Sequence, residues 1–271
     1  MINKLMRFAL LRSRNVRYGF DQWTYNKYYK NGGELESFEN IYSEQPMLVV
    51  GNGPSLNKTP LDLFAKYNSI GLNKINLIFP KTSWRPKFIC CANNIVAWQN
   101  REFFTSSNIP IFLSWKARMF TKSRNKNKIK YFLNLPTTEF SCRFIDGVGS
   151  SGTVTYTALQ LAYFFGANPI ILVGVDHNFG HTGQANTIAT MNKPDENHFH
   201  PEYFKKGQKW GLPNLPASEI GYKNALKAYT LEKRKIYDAT VGGKLQVFPK
   251  IEIDYALKLF ASSHNEIHKN V

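Results

Sequence analysis

Cysteine, acidic residues and long apolar runs are all scarce in this chain of 271 residues. Its three cysteines, Cys90, Cys91 and Cys142, are too few and too unevenly spaced for a disulfide framework, and two adjacent cysteines cannot form a C-x-x-C zinc knuckle. They are interpreted as buried free thiols in a reducing compartment. The longest apolar stretch, 158–175, reaches transmembrane length only by including Gly166 and an Asn-Pro pair, so no transmembrane helix is predicted.

Acidic side chains number 19 against 35 Lys and Arg, which gives a net charge of +16. This excess predicts attraction to a polyanion, an anionic membrane or a phosphorylated substrate. The basic run 116–130 is interpreted as a solvated loop, with a phosphate or lipid-surface contact as the alternative. It has no interleaving of aromatics and no nucleic-acid module, so nucleic acid is not expected as a partner. Apolar residues reach 43%, which excludes an intrinsically disordered chain.

Residues 1–45 are predicted to form a basic N-terminal appendage. Apolar residues within 2–10 recur at helical spacing with Lys4 and Arg7 opposite, which is typical of an amphipathic helix on an anionic membrane. A helix packed against its own domain is the open alternative. The segment lacks the unbroken apolar centre and the cleavage site of a signal peptide, so the chain is expected in the cytoplasm, either free or peripheral on the inner face of the cell membrane.

From Met47 onward, short apolar runs alternate with helical segments, which is typical of an α/β protein. We predict a Rossmann-like domain over 46–262 with a mostly parallel sheet, helices on both faces and a long lid loop at about 177–216, followed by a tail at 263–271. The expected strands are 47–50, 69–72, 88–92, 109–115, 169–173 and 245–248. The expected helices follow Thr59, cover 153–165, and include the segment around 222–229.

Two glycine turns are expected at the carboxyl edge of this sheet. Gly51-Asn52-Gly53-Pro54-Ser55 follows a strand, and Gly149-Ser150-Ser151-Gly152 opens a helix. Backbone N–H groups and a helix N-terminus at each turn can hold a phosphate. The first turn departs from the dinucleotide fingerprint and from the P-loop, because neither a third Gly nor a Gly-Lys-Ser/Thr sequence follows. The two turns predict a mononucleotide between them, with two ordinary tight turns as the alternative.

Polar residues also follow three other expected strands. Asn73 and Asn93 stand at strand ends, where the ligand crevice of an open α/β sheet lies, so their amides are candidates to bind a nucleotide or a sugar. Asp176 follows the strand at 169–173, where its carboxylate can accept from a ribose hydroxyl or bind a hard cation. The alternatives are the preference of Asn for turns and a capping role for Asp.

Four histidines lie in the expected lid loop: His177, His181, His198 and His200. Their spacing does not fit a zinc site, so no metal site is expected among them. His198 or His200 can serve as a base that takes a proton from an acceptor hydroxyl, and idle surface histidines are the alternative.

The motifs together resemble a known superfamily. The segments are VVGNGPSL (49–56), GSSGTVTYTALQLAYFFGANPIILVGVD (149–176) and ATVGGKLQVFPKI (239–251). They resemble the superfamily that joins bacterial CMP-sialic-acid-dependent sialyltransferases with the MptE-like domain of archaeal 6-hydroxymethylpterin diphosphokinase. The last segment is closer to the pterin-kinase-like branch, which includes proteins of flagellin glycosylation and surface-polysaccharide clusters.

The resemblance covers about 46–256 and implies a Rossmann-like nucleotide domain with a lid. It implies that the first turn and the strand-end Asn residues hold a cytidine nucleotide, that the second turn meets its phosphate or sugar, and that His198 is the base. The residues that it assigns to the nucleotide are Gly51, Asn52, Gly53, Ser55, Asn73, Asn93, Ser151 and Gly152.

The main hypothesis is a glycosyltransferase that moves a CMP-linked, sialic-acid-like or ulosonic sugar to a cell-surface glycan or a lipid-linked acceptor, with no cofactor required. One alternative is a 6-hydroxymethylpterin diphosphokinase-like transfer of pyrophosphate from ATP, which needs Mg²⁺ held by Asp176. A second alternative is a non-catalytic nucleotide-binding protein of polysaccharide assembly. A homo-oligomer is left open.

Overall fold

The computed structural model describes residues 18–29, 34–121, 128–178 and 187–269, with side chains up to 263. The amphipathic helix expected within 2–10 and the lid histidine His181 lie outside the described residues.

A central sheet of seven parallel strands organises the molecule. In spatial order the strands are β11 (Ile236–Asp238), β8 (Ile170–Val173), β1 (Met47–Val50), β2 (Ser69–Leu72), β3 (Phe88–Cys91), β4 (Ile111–Ser114) and β5 (Ile129–Phe132). Continuous apolar runs such as those of β1 and β8 form strands that are covered on both faces, which is the usual state of a parallel sheet. The predicted α/β, Rossmann-like fold is confirmed.

Shorter elements surround the sheet. Two strand pairs are β6 (Asn134–Leu135) with β7 (Val148–Gly149), and β9 (Ile188–Thr190) with β10 (Lys209–Gly211). The helices are α1 (18–29), α2 (Asn94–Gln99), α3 (Arg101–Ser106), α4 (Val154–Phe164), α5 (Leu215–Leu231) and α6 (Ile253–Lys269). The 3-10 helices are Glu36–Phe38, Pro54–Lys58, Leu61–Phe64, Ile75–Lys81, Trp115–Met119 and Phe144–Asp146.

Helix α4 forms as its sequence predicts. Thr153 accepts a hydrogen bond from Thr155 N–H and so caps the first turn, and Gly166 ends the helix with a φ of 78° that favours glycine. Nearly every side chain of α4 is buried, and the helix packs against β1, β2 and β3. The helix therefore fixes the second glycine turn, which precedes it, over the centre of the sheet.

The helix predicted after Thr59 is wrong. The chain instead forms the two 3-10 helices at Pro54–Lys58 and Leu61–Phe64. Pro60 has no N–H group to continue the first of them, so the two short helices remain separate.

The strand predicted at 245–248 is also wrong, because the sheet ends at β11. Leu245 and Phe248 are buried, but their segment does not pair along β11, and only Lys250 forms an isolated bridge to Asp238. The N–H of Lys244 donates to Asp176 O, so a loop contact satisfies this backbone.

Part of the predicted N-terminal appendage is packed into the domain. Tyr25 of α1 is buried and donates to Ile145 O at 2.9 Å, and Tyr29 accepts from Tyr131 N–H at 2.8 Å. The solvated loop predicted for 116–130 is wrong at both ends, since 115–119 is a 3-10 helix and β5 begins at Ile129. The domain limits themselves stay a prediction, and α6 crosses the limit placed at 262.

The cysteines are free thiols, but only two of them are buried. Cys90 and Cys91 are inaccessible in β3, and burial raises the pKa of both thiols. Cys142 is exposed, so the prediction of three buried thiols is wrong for Cys142.

Across the described residues, no helix combines the length and apolar character that a membrane span requires.

Candidate functional site

A cavity of about 510 Å³ opens at the carboxyl ends of β1, β2, β3 and β8. The strand order reverses between β1 and β8, and this switch point is where open α/β sheets bind their ligands. The cavity brings together most of the residues predicted from sequence. They are Gly51, Asn52, Gly53, Asn73, Asn93, Ser151, Gly152, Asp176 and His198.

Three buried polar atoms in this cavity have no hydrogen-bond partner. They are the side-chain oxygens of Asn52, Asn73 and Ser151. Asn52 donates from Nδ2 to Leu72 O at 2.9 Å, so the amide orientation is fixed and Oδ1 remains as an acceptor. A buried polar atom left without a partner costs about 1–3 kcal/mol, so three in one cavity favour a polar ligand.

The first glycine turn is closed by the protein itself. Gly51 N–H donates to Val173 O at 2.8 Å, and Gly53 N–H donates to Gly174 O at 2.9 Å. A Cβ on Gly51 would lie 2.3 Å from Gly174 O, so glycine allows the two strand ends to approach. These two N–H groups are therefore used within the fold, and the turn offers the cavity the Asn52 side chain.

Ser55 does not line the cavity but holds a residue that does. Its hydroxyl donates to Asp176 Oδ2 at 2.6 Å, and its N–H donates to Asp176 Oδ1 at 3.0 Å. A Cβ on Gly53 would lie 1.8 Å from Asp176 Oδ2, which places this carboxylate directly against the first turn. Ser55 and Gly53 thus fix the position of Asp176.

The second glycine turn provides a helix N-terminus to the cavity. Ser151, Gly152 and Thr153 line the wall together with the first turn of α4. Ser151 is only 3% exposed, and a Cβ on Gly221 of α5 would lie 2.1 Å from its hydroxyl, so glycine in α5 is what admits this turn. The partial positive charge of the α4 N-terminus favours an anionic group at this wall.

The two strand-end asparagines behave differently. Asn93 caps α2 by accepting from Ile95 N–H and Val96 N–H, so its side-chain oxygen has the capping role that asparagine commonly plays. Asn73 adopts a φ of 49°, and its Oδ1 is one of the partnerless buried atoms. Asn73 therefore has an acceptor available to a ligand.

His198 is paired with a buried carboxylate. Its Nδ1 lies 2.8 Å from Asp195 Oδ2, and the Asp195 side chain is 1% exposed. Burial raises the pKa of Asp195, but hydrogen bonds from His198 and from the N–H groups of Asn197 and Phe204 lower it below its usual value overall. The ionised carboxylate accepts, so it holds the proton of the imidazole on Nδ1.

The segment that carries His198 is fastened to the first turn. Phe199 N–H donates to Asn52 O at 2.9 Å, and Asn57 Nδ2 donates to Phe199 O at 2.8 Å. The imidazole of His198 stacks on the Tyr203 ring with 3.9 Å between centroids. These contacts hold the imidazole at the cavity wall.

His200 and His177 have different surroundings. His200 does not line the cavity, and its Nδ1 accepts from Glu202 N–H at 3.1 Å within a local turn. His177 does line the cavity, with Nε2 3.1 Å from Glu219 Oε1 and its ring 6.0 Å from the Tyr222 ring. The structure thus separates the two base candidates, and only His198 reaches the cavity.

Positive charge is not concentrated on the described wall of the cavity. Within 18–29, 34–121, 128–178 and 187–269, the lining residues include no Lys or Arg. The same part of the chain contains no group of three or more His, Cys, Asp or Glu that could hold a metal ion. The net positive charge of the chain is therefore carried by residues other than those of the described cavity wall.

Lys74 is buried against the segment that carries Tyr203 and Phe204, two aromatic residues of the cavity wall. Its Nζ donates to Tyr203 O at 2.6 Å and lies 4.7 Å from the Phe204 ring centroid. Burial lowers the pKa of Lys74 to about 8, against the opposing effects of Cys91 and Asp195, and Lys205 lowers it further. The ammonium thus ties the lid segment to the end of β2.

The Lys74 contact predicts an unusual dependence of stability on pH. Between pH 8 and 10.5 the unfolded chain binds a proton at this site that the folded chain does not, so the free energy of unfolding rises with pH in this range. Denaturant midpoints measured at both ends of the range should rise more in the wild type than in Lys74→Met. Equal changes in the two proteins would contradict the assignment.

Sequence reasoning missed two functional neighbours of the cavity, Asp195 and Lys74. Asp195 lies three residues before His198, so an acid-x-x-His spacing in the loop was an available signal. Lys74 follows the strand-end Asn73, but nothing local marks it, because its burial depends on residues 129 positions away.

Comparisons with known proteins give a family and a structural neighbour. The family described as 6-hydroxymethylpterin diphosphokinase MptE-like matches residues 23–182. A solved structure described as "Structure of MAf glycosyltransferase from Magnetospirillum magneticum AMB-1" is similar at 15% identity and a TM-score of 0.49, over 85% of this chain and 40% of that chain. The chain therefore spans less than half of that neighbour, and the likeness carries no argument about activity. No curated protein matches the chain.

The family match agrees with the MptE-like part of the resemblance predicted from the motifs. It includes the first glycine turn, the strand-end asparagines, the second turn and Asp176. Since it covers more than half of the 271 residues, the chain belongs to the 6-hydroxymethylpterin diphosphokinase MptE-like family.

Proposed function

We propose that this chain is a glycosyltransferase that uses a nucleotide-activated sugar, with a CMP-linked, sialic-acid-like or ulosonic sugar as the donor and a cell-surface glycan or lipid-linked molecule as the acceptor. The observation that carries the proposal is the set of partnerless oxygens of Asn52, Asn73 and Ser151 in one cavity at the switch point of the sheet. A volume of about 510 Å³ lies within the range of small-ligand sites.

The two walls of the cavity suit the two ends of a nucleotide. On one wall, the oxygens of Asn52 and Asn73 are acceptors, which fit an exocyclic amino group and ribose hydroxyls. At another part of the lining, the N-terminus of α4 and the Ser151 hydroxyl fit a phosphate. One phosphate is matched by one hydroxyl and one helix N-terminus, so the described wall suits a nucleoside monophosphate.

His198 is the base in this proposal. It takes the proton of the acceptor hydroxyl, whose oxygen then bonds to the anomeric carbon of the sugar. The bond between that carbon and the phosphate oxygen breaks, and CMP leaves with the electron pair, its phosphate meeting the α4 N-terminus and Ser151. Asp195 keeps the imidazole oriented and favours the imidazolium that forms.

Pyrophosphate transfer from ATP is the second candidate, which the family description favours. It requires Mg²⁺, and Asp176 is the carboxylate that the cavity offers. Both oxygens of Asp176 already accept from Ser55, and among the described lining residues no second carboxylate stands beside it. This donor set does not fit a magnesium site.

Nucleotide release measured across CMP-, UDP- and GDP-sugars, and across ATP with 6-hydroxymethylpterin, tests the proposal. We expect release of CMP from a CMP-sugar that EDTA does not abolish. Formation of AMP from ATP that requires Mg²⁺ and the pterin would establish the second candidate instead. Binding of CMP without release from any donor would leave only a non-catalytic nucleotide-binding protein.

A further inference from the structure

Four large apolar side chains are exposed together near the β5 edge of the sheet. Phe20 and Trp23 of α1 are each 60% exposed, Tyr28 of α1 is 58% exposed, and Met119 at the end of the 3-10 helix after β4 is 69% exposed. We call the surface formed by these four residues the α1 surface. Soluble monomers rarely expose a contiguous apolar patch of this kind unless it binds something.

Direct contacts hold α1 and the 3-10 helix Trp115–Met119 together as one surface. The Trp115 ring lies 5.3 Å from the rings of both Tyr25 and Tyr28, and its Nε1 donates to Thr24 Oγ1 at 3.0 Å. Lys116 pairs with Asp21 of α1 at 3.3 Å. The 3-10 helix that ends at Met119 is therefore anchored to α1 through Trp115 and Lys116.

The exposed aromatics are not required by the packing of α1. The helix buries Asp21 and Tyr25 against the domain, whereas Phe20 and Trp23 point away from it, with 6.1 Å between their ring centroids. Aromatic side chains on the outer face of a packed helix do not pack in the core. They are therefore available for contact with a partner outside the folded chain.

Basic side chains accompany these aromatics. Lys27 Nζ lies 5.3 Å from the Trp23 ring, and Arg118 lies 3.9 Å from the Trp115 ring. Asp21, the acid of α1, is already paired with Lys116. The chain as a whole carries a net charge of +16, which favours contact with an anionic surface.

We propose that the α1 surface binds the headgroup region of an anionic lipid membrane. Tyr and Trp rings favour the membrane interface, basic side chains favour anionic lipid, and the surface combines both. A second copy of the chain is disfavoured, because it would bring two strongly basic surfaces together. The proposal does not depend on the proposed function, since neither α1 nor Met119 lines the cavity.

Sedimentation of the full chain with lipid vesicles tests the proposal. We expect binding to phosphatidylcholine vesicles that contain roughly 30% phosphatidylglycerol, weaker binding to pure phosphatidylcholine, and loss of binding as salt increases. The double variant Phe20→Ser/Trp23→Ser should bind the anionic vesicles about tenfold or more weakly, because two apolar anchors are lost.

A matched control lies at the opposite edge of the sheet. Leu231 precedes β11 and is 73% exposed, and Tyr255 packs against Tyr237 of β11 and is 48% exposed. The variant Leu231→Ser/Tyr255→Ser removes a comparable exposed apolar area and should bind vesicles as the wild type does. Circular dichroism of both variants checks that each is folded.

Three results would overturn the proposal. One is equal binding of anionic vesicles by the wild type and by folded Phe20→Ser/Trp23→Ser. Another is no preference of the wild type for anionic over neutral vesicles. The third is a wild-type dimer, seen by light scattering, that dissociates in this variant while vesicle binding is unchanged, which would assign the surface to a second copy.

Discussion

Replacing His198 by Gln is expected to lower the rate of sugar transfer about 10²- to 10⁴-fold while CMP affinity stays within about threefold of the wild type. Gln fills a similar space but cannot take the proton of the acceptor hydroxyl. Rates come from single-turnover transfer with the donor that the release assay identifies, and affinities from calorimetry. A transfer rate equal to that of the wild type would remove His198 from the mechanism.

The neighbouring Asp195 and His200 sharpen this test. An Asn at 195 can donate to Nδ1 of His198 instead of accepting from it, which turns the imidazole to the tautomer that cannot act as a base. Asp195→Asn is therefore expected to lose about 10²-fold or more in rate. His200→Gln should stay within about twofold of the wild type, because His200 contacts Glu202 rather than the cavity. A slow His200→Gln with a normal His198→Gln would reverse the assignment.

Replacing Gly51 by Ala is expected to lower the free energy of unfolding by about 3–5 kcal/mol. The added Cβ would lie 2.3 Å from the backbone oxygen of Gly174, and no flexible side chain can move aside to accommodate it. Strands β1 and β8 must separate at the switch point, which also displaces Asn52. The measurement is the denaturant midpoint of the purified variant against the wild type.

A second glycine provides the control for this change. Gly19 of α1 has nothing within 4 Å of the position that a Cβ would take. Gly19→Ala should therefore stay within about 1 kcal/mol of the wild type. Equal stability of Gly51→Ala and Gly19→Ala would mean that the close approach of the two strand ends is not needed by the fold.

The sequence predicts the central strands β1, β2, β3, β4 and β8, because they are short apolar runs that are buried on both faces. It misses the edge strands β5 and β11, whose runs IKYF and IYD include charged residues. The ends of α4 follow local preferences, with Thr153 as the N-cap and Gly166 at the C-terminal end. A local signal fails at Thr59, where Pro60 separates two short 3-10 helices and no regular helix forms.

The roles of the glycines could not be predicted from local sequence. Gly51 and Gly53 have the pattern of a phosphate turn, yet their N–H groups donate to the last residue of β8 and to Gly174 after it, about 120 residues away in the chain. Likewise, Ser151 lacks a partner only because Gly221 lets α5 cover it. The sequence identifies the residues of the site as polar groups at strand ends. Whether each one stabilises the fold or is available to a ligand depends on long-range packing.

A crystal structure of the protein with CMP is the most direct test that this cavity binds a nucleotide. We expect the phosphate at the N-terminus of α4 within hydrogen-bond distance of Ser151, and donor groups of the cytidine on the side-chain oxygens of Asn52 and Asn73. A crystal soaked at saturating CMP that shows the nucleotide elsewhere on the chain, or shows these three oxygens without a ligand, would contradict the account.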